Sequence, residues 1–165
     1  MSKIHPDVLN EVELSVFRKL TFFKRYGYLA GGTGLALQIR HRRSYDFDIF
    51  VKNPISKGLR RDVEHIFGKV DFYVDTSEQI SFKTKENIAV TFVCYYYPLQ
   101  YPSVRGGTVD TISLASVLDI AADKAHTIGR RAVWRDYVDL FILLNKGIIT
   151  LDYLCKLAER KFGGV

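Results

Sequence analysis

Residues 28–48 read Tyr28-Leu29-Ala30-Gly31-Gly32-Thr33-Gly34-Leu35-Ala36-Leu37-Gln38-Ile39-Arg40-His41-Arg42-Arg43-Ser44-Tyr45-Asp46-Phe47-Asp48. A short apolar piece meets two glycines, a brief helical run over residues 34–40 follows, and a strand is expected over 45–51. On a strand, alternate side chains share a face, so Asp46 and Asp48 point the same way, with Ser44 beside them. Tyr45, Phe47, Ile49 and Val51 then point the other way as an apolar stripe. Two carboxylates at this spacing can hold a divalent cation against a triphosphate; magnesium takes one or two carboxylates and fills its shell with water and phosphate oxygens. The plain alternative is a pair of solvent-facing residues. Against it, aspartate is a poor strand former, and like charges on one face repel unless a cation neutralises them.

The glycines upstream allow a sharp bend and close approach of backbone to a ligand. The helix start after them offers unpaired N–H groups suited to phosphate, and Thr33 offers a hydroxyl. An ordinary tight turn would look the same in isolation.

Outward from this stretch, apolar residues at three- and four-residue steps predict a helix over residues 6–26 and another over 56–67. Strand-like runs follow at 70–74, 79–83 and 88–97, and Pro98, Pro102 and Gly106-Gly107 close the sheet-forming region. Three helices are expected at 114–128, 133–145 and 151–162. Strands in the middle with helices on either side predict an α+β fold with a mixed central sheet flanked by helices and a set of C-terminal helices. The whole chain, residues 1–165, reads as one domain, with a sheet-containing core at 27–112 and a helical part at 113–165.

Two late helices carry further candidates. On a helical wheel of 114–128, Leu114, Val117, Leu118, Ala121, Ala125 and Ile128 form one stripe, with Lys124 at its edge and Asp119, Asp123 and His126 away from it. A lysine there either snorkels to water or meets an anion. In the next helix Asp136 and Asp139 stand at i and i+3. Beyond Tyr137 that helix is apolar nearly all round, which predicts a largely buried helix whose acids need cationic partners. Lys124 and the neighbouring arginines are the available ones, and a structural ion pair is compatible with a functional role.

Composition narrows the setting. Hydrophobic residues make up 47% and charged residues 25% of the 165, an ordinary globular mix that argues against disorder. No apolar run reaches the roughly 20 residues a bilayer requires, and no signal-peptide pattern is visible, so the expectation is no membrane association and a cytoplasmic location. Cys94 and Cys155 are far apart and fit no metal-binding spacing; both are expected as reduced core residues. The formal charge of +6 suits a phosphate-rich partner, with Arg40, Arg42 and Arg43 in one cluster and Arg130, Arg131 and Arg135 in another.

Taken together, these segments resemble the AbiEii/AbiGii-type nucleotidyltransferase toxins, a branch of the polymerase-β-like nucleotidyltransferase superfamily. The resemblance lies in Tyr28 to Thr33 with Leu35-Ala36-Leu37, in His41-Arg42-Arg43-Ser44 leading to Asp46-Phe47-Asp48, in Asp119-Ile120-Ala121 with Lys124, and in Arg135-Asp136-Tyr137-Val138-Asp139-Leu140. It implies a polymerase-β-like fold and transfer of a nucleotide from an NTP to a hydroxyl, with RNA (tRNA favoured) as acceptor and pyrophosphate leaving. It implies Mg2+ held by Asp46 and Asp48, and phosphates cradled by Gly31, Gly32 and Thr33, with Ser44 alongside. Lys124 would contact the triphosphate, and Asp136 or Asp139 would orient that lysine or assist acceptor deprotonation. Arg43 would sit near the phosphates or brace the aspartates. A cognate antitoxin is the implied protein partner. Many superfamily members carry a third acid on a later central strand, where this chain offers Thr91. That departure motivates the alternative of a non-catalytic nucleotide-binding regulatory module of the same fold.

Overall fold

The structure, a computed structural model, describes residues 4–106, 111–131 and 133–163. Gly107, expected to help close the sheet region, lies outside the described residues. Among the described residues five strands form one mixed sheet: β1 (Gly27–Leu29), β2 (Asp46–Val51), β3 (Phe72–Asp75), β4 (Gln79–Lys83) and β5 (Ala89–Cys94), in the order β1-β2-β5-β4-β3. The β2–β5 pair is parallel and the other three are antiparallel. The α-helices described around the sheet are α1 (Glu11–Lys19), α2 (Gly31–Ile39), α3 (Lys57–Phe67), α4 (Val117–Thr127), α5 (Trp134–Asn145) and α6 (Leu151–Phe162). This is the α+β arrangement expected from the order of elements.

Alternation along β2 sorts its two faces. Phe47, Ile49 and Val51 are buried in a core shared with Val90, Phe92, Ile80 and Phe82 of the sheet, Phe17 of α1, and Leu59, Val63 and Phe67 of α3. Full burial of each such side chain contributes roughly 1.5–3 kcal/mol. The opposite face carries Asp46, Asp48 and Phe50, and a second core lies on that side: Phe50 and Tyr28 pack with Leu35, Ile120, Ala121, Leu140, Leu143, Leu154 and Leu157. A site on this face is therefore closed in by α2, α4 and α5. Tyr45, expected on the apolar stripe, is 56% exposed because the strand begins only at Asp46.

The long first helix expected over 6–26 is broken into a 3-10 turn at Pro6–Val8, α1, and a second 3-10 turn at Leu20–Phe23. Asn10 restarts the helix: its side chain accepts from Glu13 N at 2.9 Å, and Glu13 accepts from Asn10 N at 2.8 Å. At α4, Leu114 is not helical. It bridges to Leu29 and Val104, and the Ser116 side chain caps the helix on Asp119 N.

Two burial expectations change. Cys94 is buried, but Cys155 is exposed, since α6 turns Leu154, Leu157 and Lys161 inward and leaves Cys155 on its outer side. Helix α5 is not buried all round: Trp134 is 68%, Tyr137 49% and Phe141 65% exposed, while Asp136, Asp139, Leu140 and Leu143 face inward. Its residues pack from one side only. Among the described residues no helix is long and apolar enough to cross a membrane.

Candidate nucleotide site

The bend after β1 lies against β2. Leu29 pairs with Ile49 across the antiparallel ladder, and Ala30 N donates to Asp48 O at 2.9 Å. The chain then turns at Gly31, whose φ of +62° is a left-handed conformation that favours glycine. Space gives a second reason: a Cβ on Gly31 would collide with Asp48 Oδ2, and one on Gly32 would stand 2.6 Å from Arg42 Nη2 and 3.0 Å from Ser44 Oγ. Helix α2 starts at these glycines, three residues earlier than the sequence pattern suggested, so its first-turn N–H groups lie beside the aspartates. Thr33 is 1% exposed and its hydroxyl donates to Asp46 O, which ties α2 to β2. Ser44 Oγ donates to Asp46 Oδ1 at 3.2 Å.

Asp46 and Asp48 leave one face of β2, as the alternation required. Burial, then the neighbouring Asp46 charge, push the Asp48 carboxyl up to about 6; Arg131, Lys124 and Arg135 pull against them in that order. Across the parallel pair Asp48 stands beside Thr91, whose hydroxyl lies 3.1 Å from Ser81 Oγ. No third acid joins the two: among the described residues no three His, Cys, Asp or Glu side chains gather as a metal-binding group.

Lys124 is buried, with its ammonium 2.7 Å from Asp136 Oδ1 and 2.8 Å from Asp139 Oδ2. Asp139 also receives the Arg42 guanidinium through Nε at 2.6 Å and Nη2 at 2.9 Å, and His41 Nε2 at 2.7 Å. Burial alone would raise the Asp139 carboxyl, but hydrogen bonds from His41, Arg42 and Lys124 outweigh it and hold the group well below the usual carboxylate range. Asp136 is shared between Lys124 and Arg131, whose Nε is 3.0 Å and Nη2 2.9 Å from Asp136 Oδ2. The structure thus brings Gly31, Gly32, Ser44, Asp46, Asp48, Lys124, Asp136 and Asp139 into one region.

Arg43 is the exception. It is exposed, its carbonyl accepts from Arg42 Nη1 at 2.9 Å, and among the described residues its side chain makes no ion pair. The residue that braces the site is its neighbour Arg42. Sequence reasoning missed Arg42, His41 and Arg131 as individuals, although all three stand in the motifs and arginine clusters it singled out. Asp119 and Asp123 also depart from the wheel. Asp119 is fully buried, and both acids face Lys161 of α6, at 3.1 and 2.7 Å. The wheel placed them off the apolar stripe because it could not show that α6 covers that side.

No family model matches the chain. Among solved structures, the fold superposes on a provisionally assigned nucleotidyltransferase from H. pylori with a TM-score of 0.64, at 19% identity, over 92% of this chain and 77% of that one. It also superposes on the antibiotic-resistance factor ANT(2'')-Ia with a TM-score of 0.60, at 9% identity, over 88% of each chain. At these identities the likeness shows the fold alone, one that this chain shares with both proteins. In sequence, the chain is 31% identical over 141 residues to the uncharacterized protein aq_aa25 of Aquifex aeolicus, spanning 84% of this chain and 67% of that protein, and it belongs to the same family.

Proposed function

We propose that this chain is a nucleotidyltransferase that moves a nucleotide from an NTP to an acceptor hydroxyl with release of pyrophosphate. One observation carries the reading: Asp46 and Asp48 leave one strand face with Asp48 packed against the Gly31 bend. The donor set fits magnesium. Two hard carboxylate oxygens stand side by side, and burial together with their mutual repulsion opposes ionisation of Asp48, which a dication would relieve. Asp46 and Asp48 would hold the ion, which when bound would neutralise charge on the transferred phosphoryl group.

The other residues bind and orient. Gly31 and Gly32 let backbone N–H groups approach phosphate, and Ser44 fixes the Asp46 carboxylate through its hydroxyl. Thr33 acts through the Asp46 carbonyl, which holds the bend at its distance from β2. Asp139 is saturated by cations and acts as a brace for Arg42 and Lys124 rather than as a proton acceptor. Core residues at 27–112 supply the aspartates and 113–165 supply Lys124, Asp136 and Asp139, so both parts act as one catalytic unit.

The finer reading is a toxin of the AbiEii/AbiGii type, with RNA (tRNA favoured) as acceptor and a cognate antitoxin as partner. Its support is that the Lys124 and Arg135-Asp136-to-Asp139 segments, which carry that resemblance, form one ionic network that reaches the Gly32 bend through Arg42. Incubation of the purified protein with labelled NTPs, magnesium and total RNA tests it. Label should pass to RNA in the wild type and not in Asp48→Ala; no transfer by either protein would sink the reading.

Thr91 favours a second reading. It stands beside Asp48, on a later central strand where many members of the resembled superfamily carry a third acid. A regulatory module that binds NTP without turnover would show tight NTP binding and no label transfer to any acceptor.

A further inference from the structure

Helix α5 carries its ionic network on one side and an uncovered aromatic row on the other. Asp136, Asp139, Leu140 and Leu143 face inward, whereas Trp134, Tyr137 and Phe141, at i, i+3 and i+7, are all exposed. At 100° per residue the three rings fall within an arc of roughly 60°, and they rise along the axis by about 4.5 and 6 Å. A surface helix ordinarily turns polar side chains to this side, so a row of large rings marks a contact surface.

The charge around the row has one sign. Arg135 lies beside it on the same helix, Arg130 and Arg131 precede it, and Lys146 follows its far end; all four are exposed. The two acids of α5 are turned inward onto Lys124, Arg42 and Arg131, so among the described residues the helix shows solvent no carboxylate. Flat rings among cations suit a chain that alternates bases with phosphates, because bases stack on aromatic faces and phosphates take guanidinium groups. A second copy of this chain suits them less. A two-fold contact would set the face on itself, with cations on both sides and no acid to answer them. The inner side of α5 adjoins the bend: Asp139 receives Arg42, whose Nη2 fills the space a Cβ on Gly32 would need. One helix thus braces the candidate site and presents the row.

We propose that the outer face of α5 docks a single-stranded stretch of the acceptor RNA, with bases stacked on Trp134, Tyr137 and Phe141 and phosphates on Arg130 and Arg135. The proposal rests on the nucleotidyl-transfer reading and goes beyond it by naming the surface that receives the acceptor.

Trp134 is the one tryptophan of the chain, so its emission reports on this face directly. Titration without NTP, using an unstructured single-stranded RNA of about 12 nucleotides, should quench that emission. Inorganic polyphosphate, a polyanion without bases, should not. Tyr137→Ala and Phe141→Ala should each weaken RNA binding by about 5- to 150-fold, the span for loss of one stacked base. Phe22→Ala is the control: its ring is 66% exposed, but on the 3-10 turn that packs on the opposite side of the sheet, and its loss should leave the affinity unchanged. Arg135→Ala should weaken binding and lower the slope of log affinity against log salt by about 0.7, one phosphate contact on a single strand. These side chains are exposed, so the variants should melt with the wild type. The proposal is overturned if RNA leaves the emission unchanged, or if polyphosphate or an RNA duplex quenches it as strongly. It is equally overturned if Tyr137→Ala and Phe141→Ala bind RNA as tightly as Phe22→Ala. A sedimentation mass of two chains that falls to one in Phe141→Ala would assign the face to a second copy instead, and quenching by polyglutamate but not by RNA would assign it to an acidic protein. The expected quenching without label transfer would refute the enzymatic reading and leave the surface standing. Label transfer at limiting RNA that is unaffected in Tyr137→Ala and Phe141→Ala would do the reverse.

Discussion

Lys124 of α4 and Asp136 of α5 form an ion pair at 2.7 Å in which neither side chain is more than 6% exposed. With Asp139 at 2.8 Å on the same ammonium, one charge from α4 satisfies two carboxylates from α5. A pair this enclosed fixes how the two helices sit, and with them the distance from α5 to Asp48. Breaking a buried pair so that its partner is left uncompensated costs roughly 3–5 kcal/mol; here that is an upper bound, because Arg131 stays on Asp136 and Arg42 and His41 stay on Asp139. Lys124→Met should therefore lose stability by less than that amount, as read from denaturant unfolding, and lose activity together with it. A variant with wild-type stability and a raised KM for NTP alone would instead make Lys124 a direct phosphate ligand.

Asp48 opposes folding where it is ionised. Its folded carboxyl is raised to about 6 against an ordinary value of 3.8, by burial first and by Asp46 second. A group raised in this way contributes stability that is fully present below about pH 4 and lost as pH rises through about 6. The metal-free protein should thus lose up to about 3 kcal/mol between those limits through this group. Asp48→Asn should remove the dependence: more stable than the wild type at pH 7.5, equal to it near pH 4, and inactive in transfer. Thermal melts of both proteins across that range, in chelator, decide it; parallel curves would mean that the charge is already relieved within the protein.

Much of this region was legible in advance because strand geometry is a rule of period two. Asp46 and Asp48 had to share a face, and Phe47, Ile49 and Val51 had to bury the other. The two glycines were readable as a bend, although α2 begins on them rather than after them, since a left-handed Gly31 can enter a helix that a larger residue could not. Ionic partners were harder. Asp136 and Asp139 announced that they needed cations, but four groups converge on them from two segments about 90 residues apart, and only folding selects Arg42 over Arg43. Similarly, nothing in the period of α4 shows that α6 will cover Asp119, or that α5 will leave Phe141 in solvent.

Gly31 is the position where backbone and site chemistry meet. Its φ of +62° disfavours any L side chain, and a Cβ would enter the space of Asp48 Oδ2. Gly31→Ala should lose about 1–2 kcal/mol from the left-handed conformation alone. The displaced Asp48 carboxylate should cost more in function than in folding. Magnesium-dependent NTP binding, followed by calorimetry, should fall at least about 10-fold while far-UV circular dichroism stays that of the wild type. Unchanged binding would show that the carboxylate can swing away without loss, and that its contact with the bend is incidental.

A second buried ammonium separates staples from site. Lys161 of α6 is closed off from solvent between Asp119 at 3.1 Å and Asp123 at 2.7 Å, and Tyr95 donates to Asp123 Oδ1 at 2.6 Å. The set mirrors the Lys124 cluster in composition, but it ties α6 to α4 and to Tyr95 rather than α5 to α4. Burial leaves the Asp123 carboxyl raised in spite of Lys161, and its Oδ2 has no partner among the described residues. Lys161→Met should therefore destabilise by roughly 3–5 kcal/mol at neutral pH. The deficit should shrink on acidification, because a carboxyl raised further by loss of its cation contributes stability below its ordinary value that is lost as pH rises. At a temperature where the variant is still folded, its affinity for NTP and magnesium should equal that of the wild type. A fall in that affinity would tie α6 to the nucleotide and make the two lysine clusters parts of a single site.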